Sequence, residues 1–439
     1  MKRAAAWLAV PLAALLLVAA WLWQVNYRDG IDVSTPDTAP PATDAQRARG
    51  AYLARAGNCM ACHTARGGAP GAGGVALATP FGTLYSSNLT PDPDTGIGRW
   101  NSATFWRALH RGRGADGRLL YPAFPYTHTT ALTREDADAL LAYFRSLPPV
   151  HGAPPAHQLR WPYSTQAALA VWRALYFRPG PLPEPPAAAG RDAAWRRGAY
   201  LVHAVAHCSA CHATRDRLGG ANWLDMGGGV MPTQGWYAPS MAARSQASVA
   251  DWPLHDIVRL LKTGAAPQGS TSGPMAGVVL HGTQHVSDDD LHAMALYLQS
   301  LPQQEETAAP VTAPAAFSAE AADNGPARAG ARLYAQHCAD CHGPRGQGVP
   351  GAYPPLAGNR AVTMAHTDNL LQIVLHGGFA PATAGNPRPY GMPPFAQTLS
   401  DADIAAVLTH IRASWGNRAP EVSPLHVNRL RAAAASGVR

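Results

Sequence analysis

All six cysteines of this 439-residue chain fall in one phrase, Cys-x-x-Cys-His, which occurs three times. The copies are Cys59-Met60-Ala61-Cys62-His63, Cys208-Ser209-Ala210-Cys211-His212 and Cys338-Ala339-Asp340-Cys341-His342. Two thiols at this spacing reach the two vinyl groups on one edge of a porphyrin and become thioethers. The His directly after them swings under the ring and ligates iron. A zinc knuckle needs a second ligand pair for each Cys-x-x-Cys, and no cysteine is left to supply one. A redox dithiol has no need of the adjoining His. The chemistry expected is therefore three covalently bound haems c, with His63, His212 and His342 as proximal ligands.

The sixth iron position needs a further donor, and a Met there raises the potential. In the third copy Met392 stands in Tyr390-Gly391-Met392-Pro393-Pro394-Phe395, a proline-fixed loop suited to a distal ligand. Pro354-Pro355 is expected to set a carbonyl on His342. In the second copy Met275, in Gly273-Pro274-Met275, lies in the loop between the middle and last helices. Met294 falls on the last helix and reads as core. The first copy has no Met but Met60, inside the motif itself. Phe124 stands where a Met is expected, in Leu120-Tyr121-Pro122-Ala123-Phe124-Pro125-Tyr126-Thr127-His128. His128 is the nearest alternative donor and the expected ligand, and His110 is less suited. The alternative is an ordinary loop histidine beside an iron that is open or water-bound.

The elements that must position these groups repeat as well. Gly50-Ala51-Tyr52-Leu53, Gly198-Ala199-Tyr200-Leu201 and Gly330-Ala331-Arg332-Leu333-Tyr334 precede the three motifs. In each, Gly is expected to mark the start of a short helix that ends at the motif. Middle helices are expected over Trp100–Gly112, Trp252–Gly264 and Asp368–Gly377. Last helices with acidic first turns are expected over Asp136–Ser146, Asp288–Ser300 and Asp401–Ser414. Tyr143, Tyr297 and His410 fall at one register. The fold class is mainly α: three tandem class I-like cytochrome c domains with an N-terminal transmembrane helix. The divisions are 4–23 anchor or signal, 45–150 first domain, 151–189 Pro-rich connector, 190–302 second domain, 303–324 linker, 325–418 third domain and 419–439 C-terminal tail. The cluster Trp161, Tyr163, Trp172, Tyr176 and Phe177 argues that the first connector is ordered, as core rather than as a docking surface.

The length suits about three domains. Gly (42) and Pro (40) are abundant, and the 47% apolar content excludes disorder. The formal charge of +7 omits haem propionates, which bring roughly one to two negative charges per haem. The arginines are scattered, so no nucleic-acid partner is expected. Lys2 and Arg3 precede an apolar run from Ala4 to Trp23, about long enough to span a bilayer. The flanking charge keeps the N-terminus cytoplasmic and sends the body to the periplasm. Cleavage of a signal peptide after Val18-Ala19-Ala20 is the alternative, but Trp21-Leu22-Trp23 extends the run as an interfacial anchor.

Four phrases carry a family resemblance: Thr79-Pro80-Phe81-Gly82-Thr83-Leu84-Tyr85-Ser86-Ser87-Asn88-Leu89-Thr90, Gly96-Ile97-Gly98-Arg99-Trp100, Leu120 to Tyr126, and Ser414-Trp415-Gly416-Asn417. Over roughly residues 45–418 the chain resembles the tri-haem cytochrome c subunits of bacterial membrane-bound alcohol, gluconate and fructose dehydrogenases. Phe124 departs from that pattern. Its loop is similar to cytochromes that accompany molybdenum-dependent hydroxylases and aldehyde oxidoreductases. The resemblance implies a non-catalytic subunit at the inner membrane. It would take electrons from a catalytic dehydrogenase subunit and pass them to ubiquinone or a terminal oxidase. The other class of function is a haem enzyme, of peroxidase or thiosulfate-oxidising type, acting at the first haem.

Overall fold

Helix-capping residues set the element boundaries in the computed structural model, which describes residues 2–37, 41–183, 190–231, 233–304 and 325–435. Helix α1 runs Lys2–Tyr27, longer than the apolar run alone. α2 (Asp44–Ala56) opens on a capping box in which Thr43 and Gln46 bond each other's backbone. α3 (Cys59–His63) is the first motif. α4 (Ser102–Arg111) is capped by Asn101 and ends on Gly112 in the left-handed region. α5 (Tyr126–Thr129) is a single turn, and α6 (Arg134–Arg145) is capped by Thr133. α7 (Gln166–Tyr176) lies inside the Pro-rich connector.

The second repeat has α8 (Ala193–Tyr200), continued by a π-turn over Leu201–Val205, then α9 (Ser209–His212). After these come α10 (Leu254–Thr263), α11 (Gly273–His281) and α12 (Asp288–Gln299). The third repeat has α13 (Gly325–His337), α14 (Ala339–His342), α15 (Arg360–Thr363), α16 (Asp368–His376), α17 (Asp401–Ala413) and α18 (Pro424–Ala435). The linker expected over 303–324 lies outside the described residues beyond 304, as do Pro185 and Pro186.

The repeated glycines do not start helices. Gly50, Gly198 and Gly330 sit within α2, α8 and α13, where the first helix of each repeat crosses the last. A Cβ at Gly50 would come within 1.9 Å of the Ala139 carbonyl oxygen, at Gly198 within 1.9 Å of Ala293 O, and at Gly330 within 2.4 Å of Ala406 O. Backbone therefore touches backbone at each crossing. The shared register of Tyr143, Tyr297 and His410 has the same cause: their Cβ atoms stand 2.7, 3.0 and 2.9 Å from where a Cβ on each of those glycines would lie. A bidentate ion pair repeats at the first two crossings. Arg49 Nε donates to Asp136 Oδ1 at 2.9 Å, and Arg197 Nη2 donates to Asp290 Oδ2 at 2.8 Å.

The chain divides into two compact units. The first comprises Met1–Pro186, His203–Ala210 and Arg215–Trp223; the second is Ala187–Val202, Cys211–Thr214 and Leu224–Arg439. In the first, a three-stranded antiparallel sheet joins Ala76–Thr79, Gly82–Tyr85 and Gln158–Leu159. α7 belongs to this unit, and its connector is of mixed character. Phe177 is buried, but Trp161 is 82% exposed, so the aromatic cluster is not simply core.

The second unit holds the third repeat and most of the second. Asn369 and Tyr237 exchange side-chain and backbone hydrogen bonds at 2.7 and 2.8 Å. Arg360 donates to Ser248 O at 2.8 Å and also bonds Asp251. The expected tail over 419–439 contains the helix α18, which packs on α16 and α17 through buried Val427, with Val422 buried just ahead of it. Arg431 secures it by bonding Asp401 at 2.7 Å.

Candidate haem-binding sites

The three motif histidines share one arrangement. His63 Nδ1–H donates to Ser87 O at 2.7 Å, His212 Nδ1–H to Pro239 O at 2.7 Å, and His342 Nδ1–H to Pro354 O at 3.0 Å. A carbonyl on Nδ1 fixes the tautomer with a bare Nε2 lone pair and orients the ring. Burial holds all three below the ordinary histidine value, so the lone pair stays free of a proton. The Pro354 contact follows the sequence expectation. Ser87 and Pro239 were missed, although Ser87 lies within the Thr79–Thr90 phrase. Burial also raises the thiols, Cys59 to about 12 and Cys338 to about 11, with the second cysteine of each motif adding to it.

The residue before the first cysteine matters too. Asn58 and His207 both adopt left-handed backbone, with φ of 52° and 42°. Asn and His are among the few side chains that tolerate this. The bend ends the preceding helix and starts the motif turn.

In the third repeat a cavity of about 450 Å³ is lined by Cys338, Cys341, His342, Met392, Leu356 and Ile373 among others. Met392 pairs across Gly378–Phe379 as a short antiparallel ladder. Its loop is held against α16 by Phe395 N–H donating to Val374 O at 2.9 Å and Ala396 N–H to Leu375 O at 3.1 Å. Gly377, at φ 67°, lets the loop close in, since a Cβ there would lie 2.4 Å from Met392 O. A thioether, two thiols and an oriented imidazole thus converge on one largely apolar cavity, which fits haem c.

Met275 is in the first turn of α11, not in a loop. Gly273, at φ 52°, packs under the Trp236 ring and sets the entry to that turn. Ala265, Gly269 and Thr271, just upstream, form part of the wall of the third-repeat cavity. Met294 is fully buried core.

His128 does not stand free as a donor. It lies on α5, 6% exposed, and hydroxyls hold both ring nitrogens. Ser209 Oγ donates to Trp223 O, so His128 Nε2–H donates to Ser209 Oγ at 3.0 Å, and Thr127 Oγ1–H donates to Nδ1 at 3.0 Å. The ring also meets His207 and Trp223 edge-on, with centroids at 6.1 and 6.3 Å. α5 begins directly after Pro125 and turns His128 towards the Cys208 segment, away from the ligand role expected of it. Burial, reinforced by His207, His203 and Arg215, pushes its pKa down to about 3. His203, fully buried, is pushed down to about 4 by burial. His207 Nε2–H donates to Gly57 O at 3.1 Å, tying the turn before Cys208 to the turn before Cys59. This histidine cluster was missed because nothing in its spacing marks it.

His110 stacks on Trp106 at 4.5 Å, and its Nδ1 has no partner among the described residues. Phe124 is half-buried beside Tyr126.

Helix–motif–helix units whose histidines are tuned by carbonyls define a c-type cytochrome. The cytochrome c family model matches residues 47–148 and 327–415. The cytochrome c subunit of the quinone alcohol dehydrogenase of Komagataeibacter europaeus is 39% identical, over 89% of this chain and 85% of that protein. The gluconate 2-dehydrogenase cytochrome c subunit of Pantoea cypripedii is 37% identical, over 86% and 87%. A nicotinate dehydrogenase subunit of Pseudomonas putida is 38% identical over 92% of this chain but only 34% of that protein. The chain belongs to the family of dehydrogenase cytochrome c subunits, and it binds haem c covalently.

Proposed function

We propose that this chain is a tri-haem electron-transfer subunit, held to the inner membrane by α1 with its haem domains in the periplasm. The haems attach at Cys59 and Cys62, Cys208 and Cys211, and Cys338 and Cys341, with His63, His212 and His342 as proximal ligands. Met275 and Met392 are the distal ligands of the second and third; the first has no thioether. Bound haem iron supplies one-electron acceptance and release. The protein's part is to fix each imidazole, exclude water around Met392 and set the potentials through the donors it presents. Electrons enter from a catalytic dehydrogenase subunit and leave to ubiquinone or a terminal oxidase. The resemblance of the Phe124 loop to cytochromes that accompany molybdenum-dependent hydroxylases favours a partner of that kind, and a nicotinate dehydrogenase subunit is among the relatives. α1 contains a stretch, Val10–Tyr27, apolar and long enough to cross a membrane.

The observation that carries this reading is the carbonyl on Nδ1 of all three motif histidines, the second repeat included. A pyridine haemochrome assay against protein concentration should return three haems per chain. Two or fewer would defeat it.

A further inference from the structure

α7 is buried on one side and bare on the other. Leu169, Ala170, Arg173 and Ala174 face inward, while Val171 and Leu175 are 45% and 55% exposed. The apolar surface continues through Trp161 and through Leu218, whose carbonyl accepts a bond from Trp172 Nε1 at 3.0 Å. An apolar helix face of this kind needs an occupant.

The attachment of α7 says which. Its buried side is joined to the last turn of α1. Asn26 Nδ2 donates to Ala170 O at 3.1 Å, and Arg173 Nε donates to Asn26 Oδ1 at 2.9 Å. Arg113 closes the same junction by donating to Tyr27 O at 3.0 Å. On α1, exposed Trp21 and Trp23 are the residue type that sits at the headgroup level. At 1.5 Å per residue, Asn26 is only about 5 Å along the axis beyond Trp23. α7 is therefore fastened where a spanning α1 leaves the bilayer. Exposed Arg28, Arg160, Arg178 and Arg217 adjoin Tyr27, Trp161, Phe177 and Leu218 in the chain, and among the described residues of these segments the exposed acid is Asp216, which Tyr176 bonds at 2.5 Å. An apolar stripe with aromatic residues and a cationic rim is the pattern of a helix lying in a lipid interface.

We propose that α7, with Trp161, is a second membrane contact, an in-plane interfacial helix beside the spanning one. The inference rests on α1 being a membrane anchor. A single spanning helix leaves the attached unit free to swivel; two contacts fix its face towards the bilayer and towards any acceptor dissolved there.

The test uses the full-length, haem-loaded protein in phosphatidylglycerol–phosphatidylethanolamine liposomes. A carbene-generating photoprobe is dissolved in the acyl chains, and labelled peptides are mapped by mass spectrometry. Label is expected on α1 and on residues 161–178. The triple variant Trp161→Ser, Val171→Glu, Leu175→Glu should lose label from 161–178 to background while label on α1 and the visible spectrum stay unchanged. Label on α1 alone in the wild type overturns the interfacial contact and leaves the anchor standing. Label on neither overturns the anchor itself. Cross-linking of 161–178 to another protein of the complex in native membranes, without lipid label, assigns the face to that protein and overturns the proposal.

Discussion

His128 Nε2 lies 3.0 Å from Ser209 Oγ, inside the second Cys-x-x-Cys-His phrase and 81 residues away in sequence. The contact turns a residue of the first repeat into a support for the segment that carries Cys208. His128→Ala is expected to leave the number of low-spin haems unchanged in the visible spectrum. It should cost about 1–3 kcal/mol of stability, the usual loss for an orphaned buried hydrogen-bond partner. His128→Gln keeps an N–H donor at similar reach and should recover part of that. Conversion of one haem in three to high spin by His128→Ala would show it to be a ligand.

Acid should weaken the first unit through the same cluster. His128 and His203 are held neutral, at about 3 and about 4, against 6.5 when unfolded. Below pH 6.5 the unfolded chain binds protons that the folded chain refuses. Their contribution to instability is thus absent above pH 6.5 and grows as pH falls towards the folded values. The slope is about 1.4 kcal/mol per pH unit for each histidine. Denaturant midpoints followed between pH 7 and pH 4 should fall accordingly, and His128→Gln should flatten the curve. An unchanged pH slope in that variant would count against it.

Gly198→Ala places a methyl group where the Ala293 carbonyl oxygen already stands. The helices must separate, and overpacking of this kind costs about 1–3 kcal/mol. Thermal unfolding should show the loss. Gly277, with nothing near its Cβ position, is the control: Gly277→Ala should be neutral or slightly stabilising.

Met392→His should keep the third haem low-spin but lower its potential, because imidazole replaces a thioether that raises it. Met392→Ala should give one high-spin haem in three. Spectroelectrochemical titration reads both changes. Three unaltered low-spin haems in Met392→Ala would remove Met392 from the ligand set.

The three Cys-x-x-Cys-His phrases were legible from the sequence because thioether chemistry is local. Two thiols and an imidazole must lie within one turn, so their spacing alone names them. The last helices were legible for a similar reason, since the acidic first turns with Asp136, Asp288 and Asp401 act on their own helix ends. What lay across the chain was not. The carbonyls on His63, His212 and His342 come from 24, 27 and 12 residues away, and only Pro354 had a sequence cue. Gly50, Gly198 and Gly330 look like helix starts in a one-dimensional reading, and only the crossing of α2 with α6, α8 with α12 and α13 with α17 makes them contact points. His128 carries the same imidazole whether it binds iron or a serine. Periodicity tells which residues can be buried, but the partner a buried group meets is decided by packing between segments distant in sequence.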